Sequence, residues 1–123
     1  MSSMDRPLSG KPLHFRLGGG ASSNLVDASL LAKSGRSARA LVKDGPLRVT
    51  LVALGADGTL AEHRAQGPIT VHVLSGQIRF RVGEDDWTLD EGDLLSLGAG
   101  VPHSVESAEG GVFLLTVAAL PGS

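Results

Sequence analysis

Short apolar segments separated by turn residues make up most of the chain after residue 37. Turn signals recur at positions such as Gly45-Pro46, Gly67-Pro68 and Glu91-Gly92, and the segments between them are rich in Val, Leu and Ile. A turn signal about every 8–12 residues is typical of a β-sandwich or a β-barrel. The pattern predicts strands near 38–43, 47–54, 59–65, 69–74, 77–82, 86–90, 93–97, 102–107 and 112–118.

One helix is predicted, and it precedes the strands. Asn24 or Asp27 can cap a short helix over residues 28–33, and Gly35 lies where a C-terminal cap is expected. The sequence therefore predicts an N-terminal arm with a short helix over 1–36, followed by one β-barrel over 37–120.

Ser75-Gly76 is predicted to form the two-residue loop of a β-hairpin, because glycine readily adopts the positive φ that such loops need. The polar face of this hairpin carries His72, which the register places opposite Arg79. Because the guanidinium charge disfavours a bound cation nearby, His72 is predicted at the surface or in a dimer interface. The apolar face points inward and consists of Ile69, Val71, Val73, Ile78, Phe80 and Val82.

Two other histidines are predicted to point into the barrel. His103 shares a face of its strand with Val101 and Val105. The two imidazoles, of His63 and His103, could converge from two different turns. The alternative is that each is a core histidine whose polar atoms meet a backbone carbonyl or a water. The residues that alternation places on the face of His63 are small: Thr59, Ala61 and Ala65.

Length and composition narrow the chemistry. The chain has 123 residues, which fits one domain, and it contains no cysteine, so disulfides and thiolate ligands are excluded. A metal would need histidine, carboxylate or amide ligands. No basic start with a long apolar core precedes the domain, and no apolar stretch approaches ~20 residues. We therefore expect a soluble cytoplasmic protein that does not bind a membrane.

Charge is distributed unevenly along the chain. Residues 1–48 hold eight Lys or Arg and three Asp or Glu, whereas residues 49–123 hold three and ten. The basic residues are scattered and aromatic residues are few, which makes a poor track for phosphates, so no nucleic-acid partner is expected. Instead, the cationic N-terminal part is expected to cover an acidic barrel, in its own subunit or in a partner.

The stretch from Gly92 to His103 resembles the second sequence motif of the cupin superfamily. The glycines and the histidine of that motif correspond to Gly92, Gly100 and His103. Gly98 stands where the motif has proline, and Ser107 stands where it has asparagine. The resemblance implies a small single-domain cupin of the RmlC-like type. Its expected fold is all-β, a double-stranded β-helix (jelly-roll) barrel with one short N-terminal helix.

The first cupin motif matches the chain less completely. His63 corresponds to its first histidine and Gly76 to its last glycine, and the leading glycine would be Gly58, one residue closer than the motif asks. Ala65 stands in place of the second histidine, and Ile69 stands in place of the glutamate. At the ligand positions of the first motif, the resemblance therefore matches one histidine, His63, and neither of the other two residues.

Members of this family typically hold a metal through the two histidines and the glutamate of the first motif and the histidine of the second. The resemblance leaves His63 and His103 as metal ligands in this chain, and Gln66 in the following turn could swing in as a third. Divalent metals usually have three or more protein ligands. The implied cofactor is therefore either one divalent metal (Fe, Mn, Ni or Zn) or none.

Three hypotheses for function follow. In the favoured one, the cupin binds a small molecule in the barrel cavity through His63, His103 and Gln66. In the second, it is a metal-dependent enzyme of the dioxygenase, isomerase or decarboxylase type that uses His63 and His103. In the third, it is a dimeric scaffold without chemistry of its own. The resemblance also implies a homodimer, and the interface candidates are Leu30, Leu31, Leu41 and Val42.

The single tryptophan, Trp87, shares a face of its strand with Leu89. It is predicted to pack in the core or at the rim, because no second aromatic residue is placed to complete a cage around a ligand. The alternative is that Trp87 is a stacking platform for a substrate.

Overall fold

The computed structural model describes residues 11–119, which form two short helices and eight strands. A 3-10 helix at Ala21–Leu25 and helix α1 at Ala28–Ser34 come first. The predicted strands are found with ends shifted by two residues at most, except that 69–74 and 77–82 are joined into one strand. The strands are β1 (Arg36–Asp44), β2 (Leu47–Leu54), β3 (Gly58–His63), β4 (Ile69–Val82), β5 (Asp85–Asp90), β6 (Leu94–Leu97), β7 (His103–Ser107) and β8 (Gly111–Ala118).

Helix α1 begins and ends at the predicted caps. The carboxylate of Asp27 accepts a hydrogen bond of 2.9 Å from the N–H of Leu30. Gly35 ends the helix with a φ of 78°, and its N–H donates to the carbonyl of Leu31. The capping prediction is confirmed, with Asp27 rather than Asn24 as the N-cap. Within residues 11–119, no helix is long and apolar enough to cross a membrane.

The strands form two antiparallel sheets that share β4. Sheet A has the order β1-β2-β8-β4-β6, and its part of β4 begins at Ile69. Sheet B has the order β3-β7-β4-β5, and its part of β4 ends at Val82. Because one strand runs through both sheets, their inner faces enclose a common core. The predicted all-β jelly-roll barrel with one short helix is confirmed.

The predicted hairpin at Ser75-Gly76 is wrong, because β4 continues through these residues for a total length of 14 residues. Gly76 pairs with Gly111 of β8, and the register shifts just before it. Its φ of 71° therefore belongs to an irregularity within a strand and not to a turn. His72 accordingly lies opposite Leu94 and Leu114 of the flanking strands, and not opposite Arg79.

The inward face of β4 was nevertheless predicted correctly. A two-residue hairpin and a one-residue bulge both switch the inward side chains from odd to even positions. Val71 and Val73 are fully buried before the switch, and Ile78 and Phe80 are 1% exposed after it. These four side chains are part of the apolar cluster that fills the space between the sheets.

Both faces of the second half of β2, residues 51–54, are covered within the single chain. Val52 and Leu54 face the apolar cluster between the sheets, while Leu51 and Ala53 alternate with them and are equally buried. On the neighbouring strand β1, Leu41 is 1% exposed. Leu41 is therefore a core residue of the subunit, and its prediction as a candidate for the dimer interface is wrong.

The irregularity at Gly76 gives a stability prediction with a matched control. An alanine Cβ at Gly76 would meet the carbonyl oxygen of Gly110 and also force a non-glycine residue to φ 71°. Gly83 has a similar φ of 61° with open space around its position. We expect Gly83→Ala to lower the free energy of unfolding by about 1–2 kcal/mol from backbone strain alone, and Gly76→Ala to lower it by roughly 3 kcal/mol or more.

Urea denaturation followed through the fluorescence of Trp87 measures both losses. Equal losses in the two variants would contradict the close packing of β4 against the turn that precedes β8.

Candidate functional site

The imidazoles of His63 and His103 are in contact. Their ring centroids lie 4.3 Å apart with an angle of 60° between the ring planes, and the two residues are register partners on β3 and β7. The structure thus brings the two histidines together, while the alternative also holds in part, since each ring meets a backbone carbonyl. The prediction that His63 points into the barrel is wrong, because its side chain is exposed.

The contact depends on an irregularity in β3 that simple alternation does not predict. Leu60 pairs with Val105, and three residues later His63 pairs with His103, which is only two residues from Val105. One residue of β3 is therefore left over, and the strand changes face between Leu60 and His63. As a result Leu60 packs against the core, whereas the prediction that Thr59 points inward is wrong because its side chain is exposed.

The histidine pair links the core to the surface. His103 is 3% exposed, and its ring stacks on Phe80 with a centroid distance of 5.2 Å and an interplanar angle of 12°. Phe80 in turn belongs to the apolar cluster between the sheets. His63 is exposed. The two rings therefore form a polar group that begins in the core and ends at solvent.

Backbone hydrogen bonds fix the proton position on both rings. Nδ1 of His63 lies 2.8 Å from the carbonyl oxygen of Ala61, and Nδ1 of His103 lies 3.0 Å from that of Val101. A carbonyl oxygen only accepts hydrogen bonds, so Nδ1–H is the donor in each case. In the neutral imidazole the lone pair is then on Nε2, which makes Nε2 of each ring an acceptor or a ligand atom.

Burial keeps His103 neutral. Loss of solvent lowers its pKa below the ordinary value of 6.5, and the positive charge that His63 would carry lowers it further. The hydrogen bond to Val101 raises the pKa; this effect is smaller than that of burial but larger than that of the charge on His63. At neutral pH, His103 therefore presents an uncharged Nε2.

Trp87 lies on the same face as Phe80, with which it pairs across β5 and β4. Residues directly opposite each other in an antiparallel pair share a face, and the next pair on this face, Ile78 and Leu89, is buried. Trp87 is 44% exposed because β5 is an edge strand of sheet B. A row of three positions thus runs from Trp87 through Phe80 to His103; the rings of Phe80 and His103 stack, whereas Trp87 is linked to Phe80 by strand register alone.

This row was missed in the sequence, although a signal for it existed. Val82 and Asp85 close a two-residue turn at Gly83-Glu84, which places Phe80 and Trp87 opposite each other. Because the register of a short hairpin follows from its turn, this pairing was predictable from the turn alone. Trp87 therefore has an aromatic register partner, but Phe80 is 1% exposed, so the argument that no second aromatic residue completes a cage around a ligand is not contradicted.

The residues present do not fit a tightly held divalent metal. Ala65 offers only a methyl group, and Ile69 is 2% exposed in the core. Gln66 is exposed in the loop between β3 and β4. Within residues 11–119, no three His, Cys, Asp or Glu side chains are grouped so that they could hold a metal ion. His63 and His103 thus supply two imidazole ligands where three or more protein ligands are usual.

The lowered pKa of His103 gives a pH prediction. As the pH falls, the unfolded chain takes up a proton at His103 before the folded chain does. The contribution of neutral His103 to stability is therefore present above pH 6.5 and is lost as the pH falls from 6.5 toward the folded-state pKa. We expect the free energy of unfolding to decrease with falling pH by the same slope in the wild type and in His14→Gln, which removes an exposed histidine. The slope should be smaller in His103→Gln.

Urea denaturation at a series of pH values measures the slope separately from any uniform loss of stability. If His103→Gln keeps the full slope, the buried imidazole is not the group that titrates.

Comparison with known proteins agrees with this architecture. Residues 47–118, more than half of the chain, match the family model described as a cupin domain. No curated protein sequence matches the chain significantly. Solved structures that resemble it are less than 25% identical, so their likeness shows the fold.

Three of these solved structures illustrate the likeness. A conserved protein of unknown function from Streptococcus pyogenes superposes with a TM-score of 0.67 at 24% identity, over 73% of this chain and 79% of that one. An RmlC-like cupin from Shewanella frigidimarina superposes with a TM-score of 0.66 at 17% identity, over 72% and 80%. The DMSP lyase DddQ from Ruegeria pomeroyi superposes with a TM-score of 0.69 at 15% identity, over 84% and 61%. The match over most of the barrel, together with the jelly-roll topology, shows that the chain belongs to the cupin family.

Proposed function

We propose that this cupin binds a small uncharged molecule at the histidine pair and does so without a tightly held metal. The observation that supports this most directly is that both Nδ1 atoms are engaged by backbone carbonyls. Each ring therefore offers Nε2 as an acceptor, and the ligand supplies the hydrogen-bond donors. His103 remains neutral because it is buried, so the site favours hydroxyl or amide donors over anions.

The apolar part of such a ligand would lie against Trp87, the exposed end of the row on sheet B. Phe80 is stacked on His103, and Trp87 extends the same face to a half-exposed edge. Small-molecule sites generally combine an apolar wall with a few oriented polar groups. A planar ring carrying one hydroxyl or amide group matches this combination.

Gln66 is proposed as a third polar contact. The N–H of Gly100 donates a 3.1 Å hydrogen bond to the carbonyl of Ala65, which ties the loop that carries Gln66 to the loop that leads into His103. Gln66 follows Ala65 and is exposed, so its amide is available to a ligand at the mouth of the barrel.

A metal-dependent enzyme is the alternative. In that hypothesis His63 and His103 bind Fe, Mn, Ni or Zn through Nε2, and Gln66 or the substrate completes the coordination. One neighbour in fold is a lyase, but a likeness at 15% identity carries no activity to this chain. The scaffold hypothesis, by contrast, requires neither a metal nor a ligand at the pair.

Elemental analysis separates the first two hypotheses. We expect protein purified without a chelator or a metal-affinity tag to contain well under one metal ion per chain, because two imidazoles hold a divalent ion weakly. The small amount present should not change in His63→Ala or His103→Ala. About one metal ion per chain that disappears in both variants would instead support the enzyme.

Phenol tests ligand binding directly, because it joins one hydroxyl donor to one aromatic ring. We expect phenol to shift the Nε2 signals of His63 and His103 in ¹⁵N NMR spectra of the histidine rings, and Trp87→Leu to weaken its binding roughly twofold to tenfold through lost ring contact.

Anisole is the matched control for this experiment, since it keeps the ring but cannot donate a hydrogen bond. It should shift the Nε2 signals much less than phenol. The same response to both compounds would contradict the proposed acceptor role, and no response to either would favour the scaffold hypothesis.

A further inference from the structure

A cavity of about 440 Å³ lies where helix α1 meets the beginning of β1, and neither histidine of the pair lines it. Small-molecule sites typically have volumes of about 300–1,000 Å³. The walls come from the helix, from β1 and β2 of sheet A, and from β3 of sheet B. The cavity is therefore built by the N-terminal arm together with the barrel.

The walls of this cavity are mainly apolar. Val52 is a core residue that is 4% exposed, and Leu60 packs against the same core from the other sheet. Leu30 of helix α1 is 43% exposed, although it is a large hydrophobic side chain. The apolar residues that line the cavity are Leu30, Ala38, Val52 and Leu60.

Arg36 is the one charged residue among the described residues that line this cavity. Its Nη1 donates to the carbonyl oxygen of Thr59 at 3.5 Å, a long contact that leaves most of its donors available. The two ion pairs formed within residues 11–119 involve Arg79 and Arg81, and neither includes Arg36. The charge of Arg36 thus meets no acidic side chain in an ion pair.

Two serines line the same cavity, but the hydroxyl of Ser34 is already engaged by the carbonyl oxygens of Leu30 at 2.9 Å and Arg36 at 2.8 Å. Ser34 lines the cavity at the end of helix α1, and Ser37 lines it from β1, where it is 6% exposed. A guanidinium donates two parallel hydrogen bonds to a carboxylate, and the hydroxyl of Ser37 can donate to the same oxygens. The polar end of the cavity is therefore complementary to a carboxylate.

We propose that this cavity binds a small carboxylic acid with an apolar chain. The carboxylate pairs with Arg36, and the chain lies against Leu30, Val52 and Leu60. Arg36 is exposed, so its guanidinium stays hydrated beside a neutral ligand, whereas a carboxylate adds charged hydrogen bonds to it; the charge therefore favours an acid. This site is distinct from the histidine pair, and the inference does not rest on the function proposed for that pair.

Octanoate is the probe for this site, and octan-1-ol, which has the same chain length without the charge, is its matched control. Isothermal titration calorimetry on the full chain should show saturable binding of octanoate to one site. Octan-1-ol should bind roughly tenfold or more weakly, because it lacks the charged hydrogen bonds to Arg36.

Variants then locate the site. Arg36→Gln should weaken octanoate binding roughly tenfold or more and remove the preference over octan-1-ol. Arg39→Gln removes a neighbouring exposed arginine that does not line the cavity, so it should bind octanoate like the wild type. Ala38→Leu narrows the cavity without changing its charge and should weaken both compounds.

Several results would overturn the proposal. They are equal binding of octanoate and octan-1-ol, unchanged octanoate binding in Arg36→Gln, and unchanged binding of both compounds in Ala38→Leu. Loss of octanoate binding in His63→Ala with retention in Arg36→Gln would also overturn it, because the ligand would then occupy the histidine pair. Circular dichroism identifies any variant that fails to fold. If Arg36→Gln fails to fold, the binding of octanoate and octan-1-ol to Ala38→Leu decides whether this cavity is the binding site.

Discussion

Strand β4 belongs to both sheets, and its change of face beside Gly76 determines where the inward side chains of the barrel lie. Before the change it contributes Val71 and Val73 to the core, and after it Ile78 and Phe80. A strand of constant alternation would bury one of these sets and expose the other. Because Phe80 supports the ring of His103, the candidate site depends on this switch as much as the core does.

A change of face also occurs in β3, and there it positions a residue of the candidate site directly. The residue left over between Leu60 and His63 lets one strand supply a core side chain and a ring at the barrel mouth. Without it, His63 and Leu60 would lie on opposite faces and the imidazoles could not touch. Two strand irregularities, one in each of β3 and β4, therefore bring His63, His103 and Phe80 together.

The chemistry of the pair follows from its surroundings. A buried imidazole is stable in its neutral form, since desolvation penalises the charged one. The carbonyl of Val101 holds the proton on Nδ1, which leaves Nε2 of His103 as an acceptor. An Nε2 prepared in this way would also suit a metal, but Ala65 and Ile69 provide no further ligands. The pair therefore supplies two imidazole ligands to a donor set that Ala65 and Ile69 leave incomplete.

Much of the fold was predictable from the sequence, because turn residues and alternating apolar positions mark each strand locally. The caps of helix α1 were predictable for the same reason, since Asp27 and Gly35 act on adjacent backbone groups. The hairpin at Ser75-Gly76 was predicted in error because a glycine with positive φ fits a strand irregularity as well as a tight turn, and both switch faces in the same way. Only the pairing of Gly76 with β8 separates them, and that pairing is not local.

The site was predictable in part. Alternation and the resemblance in motifs both selected His63 and His103, but alternation also placed Thr59 inward because the irregularity in β3 has no local signature. The partnership of Phe80 with Trp87 was available from the turn between them. The cavity at Arg36 was not predictable, because it arises where the helix packs against the barrel and no repeating pattern encodes that contact.

The proton positions of the two rings test the central claim most directly. Long-range ¹H–¹⁵N NMR of the histidine side chains at pH 7.5 distinguishes the Nδ1–H form from the Nε2–H form of each ring. The account predicts that His103 is neutral with its proton on Nδ1, and that His63 in its neutral form has the same arrangement. A proton on Nε2 of neutral His103 would contradict it, because that ring would then donate where the proposed site requires an acceptor.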